Sequence, residues 1–308
     1  MRNLITGGAG FIGSNLINKL INSGEEIICL DDFSTGNIDN IRPWLSYPNF
    51  ELIEHDLKKY INLFNIDRIW HLGSPASPAY YEKNPIETTQ TIFFGTLNML
   101  ELAKNNKARM LFLSSSEIYG NGKENNLKET YLGSVNPIGK RSCYAEGKRI
   151  AESLCFDYLR KFSTSICIAR VFNTYGPRMS KNDGRVISNF INQGLSNLPF
   201  SIFGDGTQTR SFCFIDDTLD GLMKLMNSSF SGPINLGNPF EEMSIIDLAE
   251  LIKKKTNSKN LLKFFPLPSD DPKRRKPNIY IANELLNWKP STSINIGLDN
   301  TINYFIKN

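Results

Sequence analysis

The chain opens with a short apolar run, residues 2–6, that leads directly into Gly7-Gly-Ala-Gly10-Phe-Ile-Gly13. Read as a buried strand, a glycine turn and a helix over residues 14–23, this arrangement constrains the fold more than any other feature. Glycines at that spacing let the backbone approach a pyrophosphate, and the helix N-terminus attracts its charge. A second strand, over residues 26–30, ends in Asp31-Asp32, with Asp31 18 residues beyond Gly13. A carboxylate there accepts hydrogen bonds from an adenosine ribose diol and repels a 2′-phosphate, which favours NAD over NADP. Strands over 50–53, 68–72, 108–114 and 165–169 then alternate with helices over 85–104 and 144–162. That alternation predicts an α/β fold, a Rossmann-type doubly wound parallel sheet.

Beyond Asn173 the regularity weakens. Gly176-Pro177, Asn182-Asp-Gly184 and Gly204-Asp-Gly206 mark loops. Helices are expected over 186–195, 215–226, 245–255 and 296–305, with a mixed, proline-rich stretch over 261–290. The expected division is a cofactor-binding domain, 1–175, and a smaller C-terminal α/β substrate domain, 176–308. Elements near 210–237 are expected to return to the first domain.

Two short stretches carry chemistry. Tyr144-Ala-Glu-Gly-Lys148 on a helix puts Tyr144 and Lys148 on one face, a turn apart. A lysine ammonium near a phenol favours the phenolate, so Tyr144 is the expected base. Upstream, Ser114-Ser-Ser-Glu117 closes a strand, and the Ser115 hydroxyl is placed to relay the proton. Simple dehydrogenation has no use for the Glu117 carboxylate, which points to a second chemical step after hydride transfer. Asp56-Leu57 either lines an adenine pocket or is a solvated loop.

The 308 residues are 40% hydrophobic and 21% charged, enough for one or two globular domains with a sizeable core. A net charge of +4 is too small to argue for nucleic acid but suits an anionic small molecule. Five cysteines with no C-x-x-C pair read as reduced, buried thiols in a cytosolic protein. Only His55 and His71 are present, too few for a histidine metal cluster, so both are expected to pack or hydrogen-bond and no metal is expected. The first strand begins at Arg2, which leaves no room for a signal peptide, and no apolar run reaches the roughly 18 residues that span a bilayer. The expectation is a soluble, cytoplasmic enzyme with no membrane partner.

Longer stretches resemble a known family. They are His71-Leu-Gly-Ser-Pro-Ala-Ser-Pro78, Gly95-Thr-Leu-Asn-Met-Leu100, Ser114-Ser-Ser-Glu-Ile-Tyr-Gly120 and Asn136-Pro-Ile-Gly-Lys-Arg-Ser-Cys-Tyr-Ala-Glu-Gly-Lys148. Arg170-Val-Phe-Asn-Thr-Tyr-Gly-Pro-Arg-Met179, Asn182-Asp-Gly-Arg-Val186, Gly206-Thr-Gln-Thr-Arg-Ser-Phe212 and Asp271-Pro-Lys-Arg-Arg-Lys-Pro277 follow. Together they resemble the extended short-chain dehydrogenase/reductase superfamily, in its NAD-dependent epimerase/dehydratase branch. More narrowly they resemble the UDP-glucuronate decarboxylases, or UDP-xylose synthases, over nearly the whole chain.

The resemblance implies a cofactor site of Gly7, Gly10, Phe11, Ile12 and Gly13 at the pyrophosphate and Asp31, with Asp32 beside it, at the ribose. Asp56, Leu57, Ser74, Thr91, Tyr144, Lys148, Thr174 and Arg185 complete it. It places Asn173, Arg185, Arg210 and Arg275 at the nucleotide sugar, with Tyr81 and Glu117 on the substrate side, and implies a homodimer through a four-helix bundle of the 85–104 and 144–162 helices. The family usually has Thr at 115, Lys at 90 and Asp at 145, where this chain has Ser115, Gln90 and Ala145. The implied reaction is oxidation at C4 of UDP-glucuronate by NAD, loss of carbon dioxide and hydride return. The rivals are a nucleotide-sugar 4,6-dehydratase, for which Ser116 is a poor acid, a 4-epimerase, which has no use for Glu117, and a binding module that retains NAD without chemistry.

Overall fold

The computed structural model describes residues 1–121, 126–181, 183–268 and 270–307; Asn182 of the 182–184 loop lies outside them. The first half is β1 (Arg2–Thr6), α1 (Phe11–Asn22), β2 (Glu26–Asp31), β3 (Phe50–Glu54), β4 (Arg68–His71), a single-turn α2 (Pro78–Tyr81), α3 (Pro85–Asn106), β5 (Arg109–Ser115), α4 (Ser142–Phe162) and β6 (Ile166–Val171). The second half is β7 (Thr174–Tyr175), α5 (Val186–Leu195), β8 (Phe200–Phe203), β9 (Thr209–Ser211), β10 (Cys213–Phe214), α6 (Ile215–Asn227), β11 (Pro233–Leu236) and β12 (Glu242–Ser244). It closes with α7 (Ile245–Lys255), β13 (Leu262–Phe265), β14 (Arg274–Arg275), α8 (Tyr280–Leu286) and α9 (Ile294–Lys307).

Seven strands form one sheet in the order β11-β6-β5-β4-β1-β2-β3, every pair parallel. The expected doubly wound α/β architecture is therefore present. Side chains alternate across it with period two. Leu4, Met110 and Phe112 enter the core beneath α3 and α4, while Ile5 and Leu111 enter the core shared with α1 and α6. The chain order reverses between β1 and β4, and a crevice opens there beyond the strands' carboxyl ends. Thr6 pairs with Leu30 and His71, and Ser115 with Val171, so these strand ends meet on one edge.

Two elements differ from the sequence reading. Helix α1 starts at Phe11, three residues before the expected 14, because Gly10 is already its N-cap: its carbonyl takes the Ser14 amide at 3.0 Å. The proline-rich 261–290 stretch resolves into β13, paired with β8, then β14, paired with β9, and α8. Strand β11 lies beside β6 in the large sheet.

A buried ion pair braces the edge that carries the chemistry. Arg170 on β6 donates to Glu152 on α4 through Nη2 at 2.7 Å and Nε at 3.0 Å. The Ser114 hydroxyl donates to the same carboxylate, and Arg170 reaches the Tyr119 hydroxyl at 2.9 Å. Both partners are at least nine-tenths buried. Removing one leaves the other charge in the interior without compensation. Glu152→Ala is expected to lower unfolding stability by about 3–5 kcal/mol, read by urea denaturation of the purified protein.

Candidate active site

The crevice is a cavity of about 950 Å³ that runs from the glycine turn to the β9–β14 strands. At its first end Gly7 adopts φ +67°, and a Cβ there would lie 2.7 Å from Gly73 Cα, so the β1 and β4 turns close on each other only without side chains. The first turn of α1 has no side-chain cap and no acidic residue, so its amides stay free for an anion. Asp31 ends β2 almost fully buried and accepts from the amides of Ala9 and Phe33, each at 2.9 Å. Burial raises its pKa, and those two amide bonds pull the other way. Free amides at a glycine turn beside a buried acid fit the pyrophosphate and ribose of a dinucleotide.

The centre of the cavity brings together β5, the turn after it and α4. Ser115 caps the Ser116–Tyr119 turn, its hydroxyl accepting the Glu117 amide at 3.2 Å. Tyr144 and Lys148 lie one turn apart on α4, both buried, and Tyr144 stacks on Tyr81 with ring centroids 5.3 Å apart. The Lys148 ammonium donates to the Leu113 carbonyl at 2.7 Å and lies 5.8 Å from the Tyr144 ring centroid. Burial pushes the Tyr144 phenol up to about 12, against the pull of the Ser115 hydrogen bond. Burial also pulls Lys148 down to about 7. Geometry thus joins Tyr144, Ser115 and Lys148, while desolvation opposes the expectation that Lys148 alone holds a phenolate.

Glu117 faces the opposite electrostatics. Burial disfavours its charge, but the guanidiniums of Arg275 and Arg141 outweigh that and hold its pKa at about 2. Arg275 Nη1 bonds its carboxylate directly, and Arg141 Nη2 does so at 2.9 Å. Arg141 also reaches Asp271 at 3.2 Å, and Arg210 reaches the other oxygen of Asp271 at 2.7 Å. Three arginines and two carboxylates therefore alternate in one chain at this end of the cavity.

The wall contains Gly7, Gly10, Phe11, Ile12 and Gly13, then Asp31, Asp32, Leu57, Ser74 and Thr91. It also contains Tyr81, Ser115, Glu117, Tyr144 and Lys148, then Asn173, Thr174, Arg185 and Arg210. Asp56 stands outside it, its carboxylate turned to the Lys58 amide at 3.0 Å and the Lys58 ammonium at 3.5 Å. Arg275 lies behind the wall, in contact with it through Glu117, and lines a smaller cavity of about 240 Å³. Arg141 and Asp271 were not singled out from the sequence. Both lie inside quoted motifs, but as single charged residues they carry no spacing signal. His71 is buried between the Thr6 and Thr96 hydroxyls at 2.9 and 3.1 Å, and burial pulls it to about 3, the neutral packing role expected.

A carboxyl held low in the folded state adds stability above its unfolded pKa and loses it as pH falls toward the folded value. The parent is expected to lose stability between about pH 4.5 and about 2 in part through Glu117. Glu117→Gln should flatten that limb, as read from urea midpoints at stepped pH.

Residues 3–237 match the family model described as NAD dependent epimerase/dehydratase family. UDP-glucuronic acid decarboxylase 1 of Arabidopsis thaliana is 49% identical over 305 residues, covering 99% of this chain and 70% of that protein. The structure of UDP-glucuronic acid 4-epimerase from Bacillus cereus, in complex with UDP-glucuronic acid and NAD, superposes with a TM-score of 0.90 at 29% identity, over 100% of this chain and 99% of that one. The dTDP-glucose 4,6-dehydratase DesIV from Streptomyces venezuelae shares the fold with a TM-score of 0.93 at 23% identity, over 100% of this chain and 98% of that one. With a glycine turn, a buried acid at the end of β2 and a Tyr–Lys helix meeting in one crevice, and a family match over most of its length, the chain belongs to the NAD dependent epimerase/dehydratase family.

Proposed function

We propose that this protein decarboxylates UDP-glucuronate to UDP-xylose and carbon dioxide. The observation that carries this reading is Glu117, a largely buried carboxylate held between Arg275 and Arg141 beside the Tyr144–Ser115 pair. A decarboxylating site needs a hydroxyl base for C4 and fixed charge near the C5 carboxylate, and these residues supply both. The identity of about half the chain to UDP-glucuronic acid decarboxylase 1 of Arabidopsis thaliana supports the same substrate.

NAD, which the glycine turn and Asp31 would hold, would supply the hydride acceptor and donor at C4 and, when oxidised, a positive charge that would favour the Tyr144 phenolate. Tyr144 takes the proton of the 4-hydroxyl, with the Ser115 hydroxyl as relay. With C4 at the ketone level the C5 carboxylate belongs to a β-keto acid. The C5–carboxylate bond breaks, carbon dioxide leaves and the electron pair passes into an enolate. The Tyr144 and Ser115 hydroxyls stabilise the developing oxyanion, C5 takes a proton from solvent, and when the hydride returns to C4 Tyr144 gives its proton back to the C4 oxygen. Glu117, anionic at neutral pH, orients the two guanidiniums and crowds the substrate carboxylate; it is not the C5 proton donor in this reading.

Residues 1–175 with β11 form the cofactor-binding part in this reading, and 176–308 mainly hold the nucleotide sugar. A cytoplasmic setting accords with five free cysteines. Among the described residues no helix is long and apolar enough to cross a membrane. The protein is also read as a homodimer through a four-helix bundle of α3 and α4. The two helices pack on each other and leave Ile86, Phe94, Ile150 and Phe162 exposed. Light scattering at micromolar concentration should give twice the 34.9 kDa chain mass; a monomer would remove the dimer.

The deciding assay follows carbon dioxide, the NADH absorbance band and the sugar product during incubation with UDP-glucuronate and NAD. Carbon dioxide with UDP-xylose and no lasting NADH is the expected result. Absence of carbon dioxide with an epimerised or dehydrated product would overturn the reading. Tyr144→Phe should lower turnover by about 10²–10⁴-fold with nucleotide binding retained.

A further inference from the structure

The ion chain along the sugar-facing wall is unbalanced. Among the described residues three guanidiniums, Arg275, Arg141 and Arg210, meet two carboxylates, Glu117 and Asp271. One positive charge is left over beside the cavity, and both Arg210 and Asp271 are wall residues. The side chains of Arg210, Arg141 and Asp271 are 11%, 18% and 18% exposed, so water screens them weakly.

Asp271 stands on a segment with few ties of its own. Its amide bonds the Pro268 carbonyl at 3.4 Å, and the following β14 pairs with β9 through only two residues. Asp270 beside it has φ +63°, a left-handed conformation that a non-glycine residue adopts at a cost. Its carboxylate meets the Asn136 amide at 3.3 Å. Side-chain contacts to Asn136, Arg141 and Arg210 join the bond from the Thr209 amide to the Lys273 carbonyl, 3.0 Å, in holding this wall in place. Arg210 donates to Asp271 at 2.7 Å.

We propose that Asp271 is an internal counter-anion: it occupies Arg210 and Arg141 until the diphosphate of the nucleotide sugar arrives, and it yields Arg210 to that ligand. This rests on the nucleotide-sugar reading of the cavity above. The guanidinium fork suits a phosphate as well as a carboxylate, so the two anions compete for one donor pair. A carboxylate kept beside an incoming dianion also repels it. Asp271 therefore lowers nucleotide affinity. The opposite role is pre-organisation, in which Asp271 only aims Arg210 and its loss weakens binding.

The two roles differ in sign, which calorimetry reads directly. In Asp271→Asn the Kd of UDP is expected to fall on the order of tenfold, while the Kd of uridine, which has no charge to compete, stays unchanged. The gain in UDP affinity should shrink as ionic strength rises. Asp271→Glu restores the charge and should return UDP affinity toward that of the parent. In the native protein, hydrogen exchange at the Asp271 and Lys273 amides should quicken when UDP is added, a measurement that needs no variant. An Asn variant that binds UDP no tighter, or exchange that slows, overturns the counter-anion role. If the parent binds no UDP at all, the nucleotide-sugar reading falls and this inference falls with it; if the parent binds and only the Asn result fails, the inference alone falls.

Discussion

All seven strands of the central sheet run the same way, and the rest of the molecule depends on that. A parallel sheet needs a crossover for each pair, and right-handed crossovers place helices on both faces. The strand-to-helix turns then share one edge. Thr6, Asp31, His71, Ser115 and Val171 all end their strands there. A chain reading that edge as five separate turns would carry no site. Brought together, the turns make one crevice.

Electrostatics divides this crevice into two halves. At the dinucleotide end the protein offers free amides and one buried acid, a neutral-to-positive cradle that suits a pyrophosphate and a ribose diol. At the other end it offers partly buried charge in alternation, from Arg275 through Glu117, Arg141 and Asp271 to Arg210. Between them lie Tyr144 and Lys148, each pushed by burial toward its uncharged form. A site that keeps its acid–base pair neutral and its framework ionised confines proton transfer to one place. The Glu152–Arg170 pair behind it keeps β5, β6 and the Tyr119 turn in register, so the Ser115 hydroxyl stays where α4 presents the phenol.

Much of the site was legible because its signals are local. The glycine turn, Asp31 and the Tyr-x-x-x-Lys pair each depend on spacing within one or two elements, and all of them line the cavity. Asp56 fell away because a loop acid's orientation depends on its nearest cation, here Lys58. Arg141 and Asp271 escaped because they gain meaning only across long separations, 24 residues to Glu117 for one and 61 to Arg210 for the other. A lone charge has no periodicity to read.

By itself, the sequence determined the strand–helix alternation, the dinucleotide turn and the residue types able to move a proton, since each follows from short-range backbone geometry and side-chain chemistry. Only the tertiary structure decided which charges face one another. That pairing sets the pKa values: Glu117 is held ionised because two arginines from distant parts of the chain converge on it, and in the free protein Tyr144 is pushed toward its protonated form because folding removes it from water. Coulomb and desolvation energies depend on distances and burial that the linear chain does not contain.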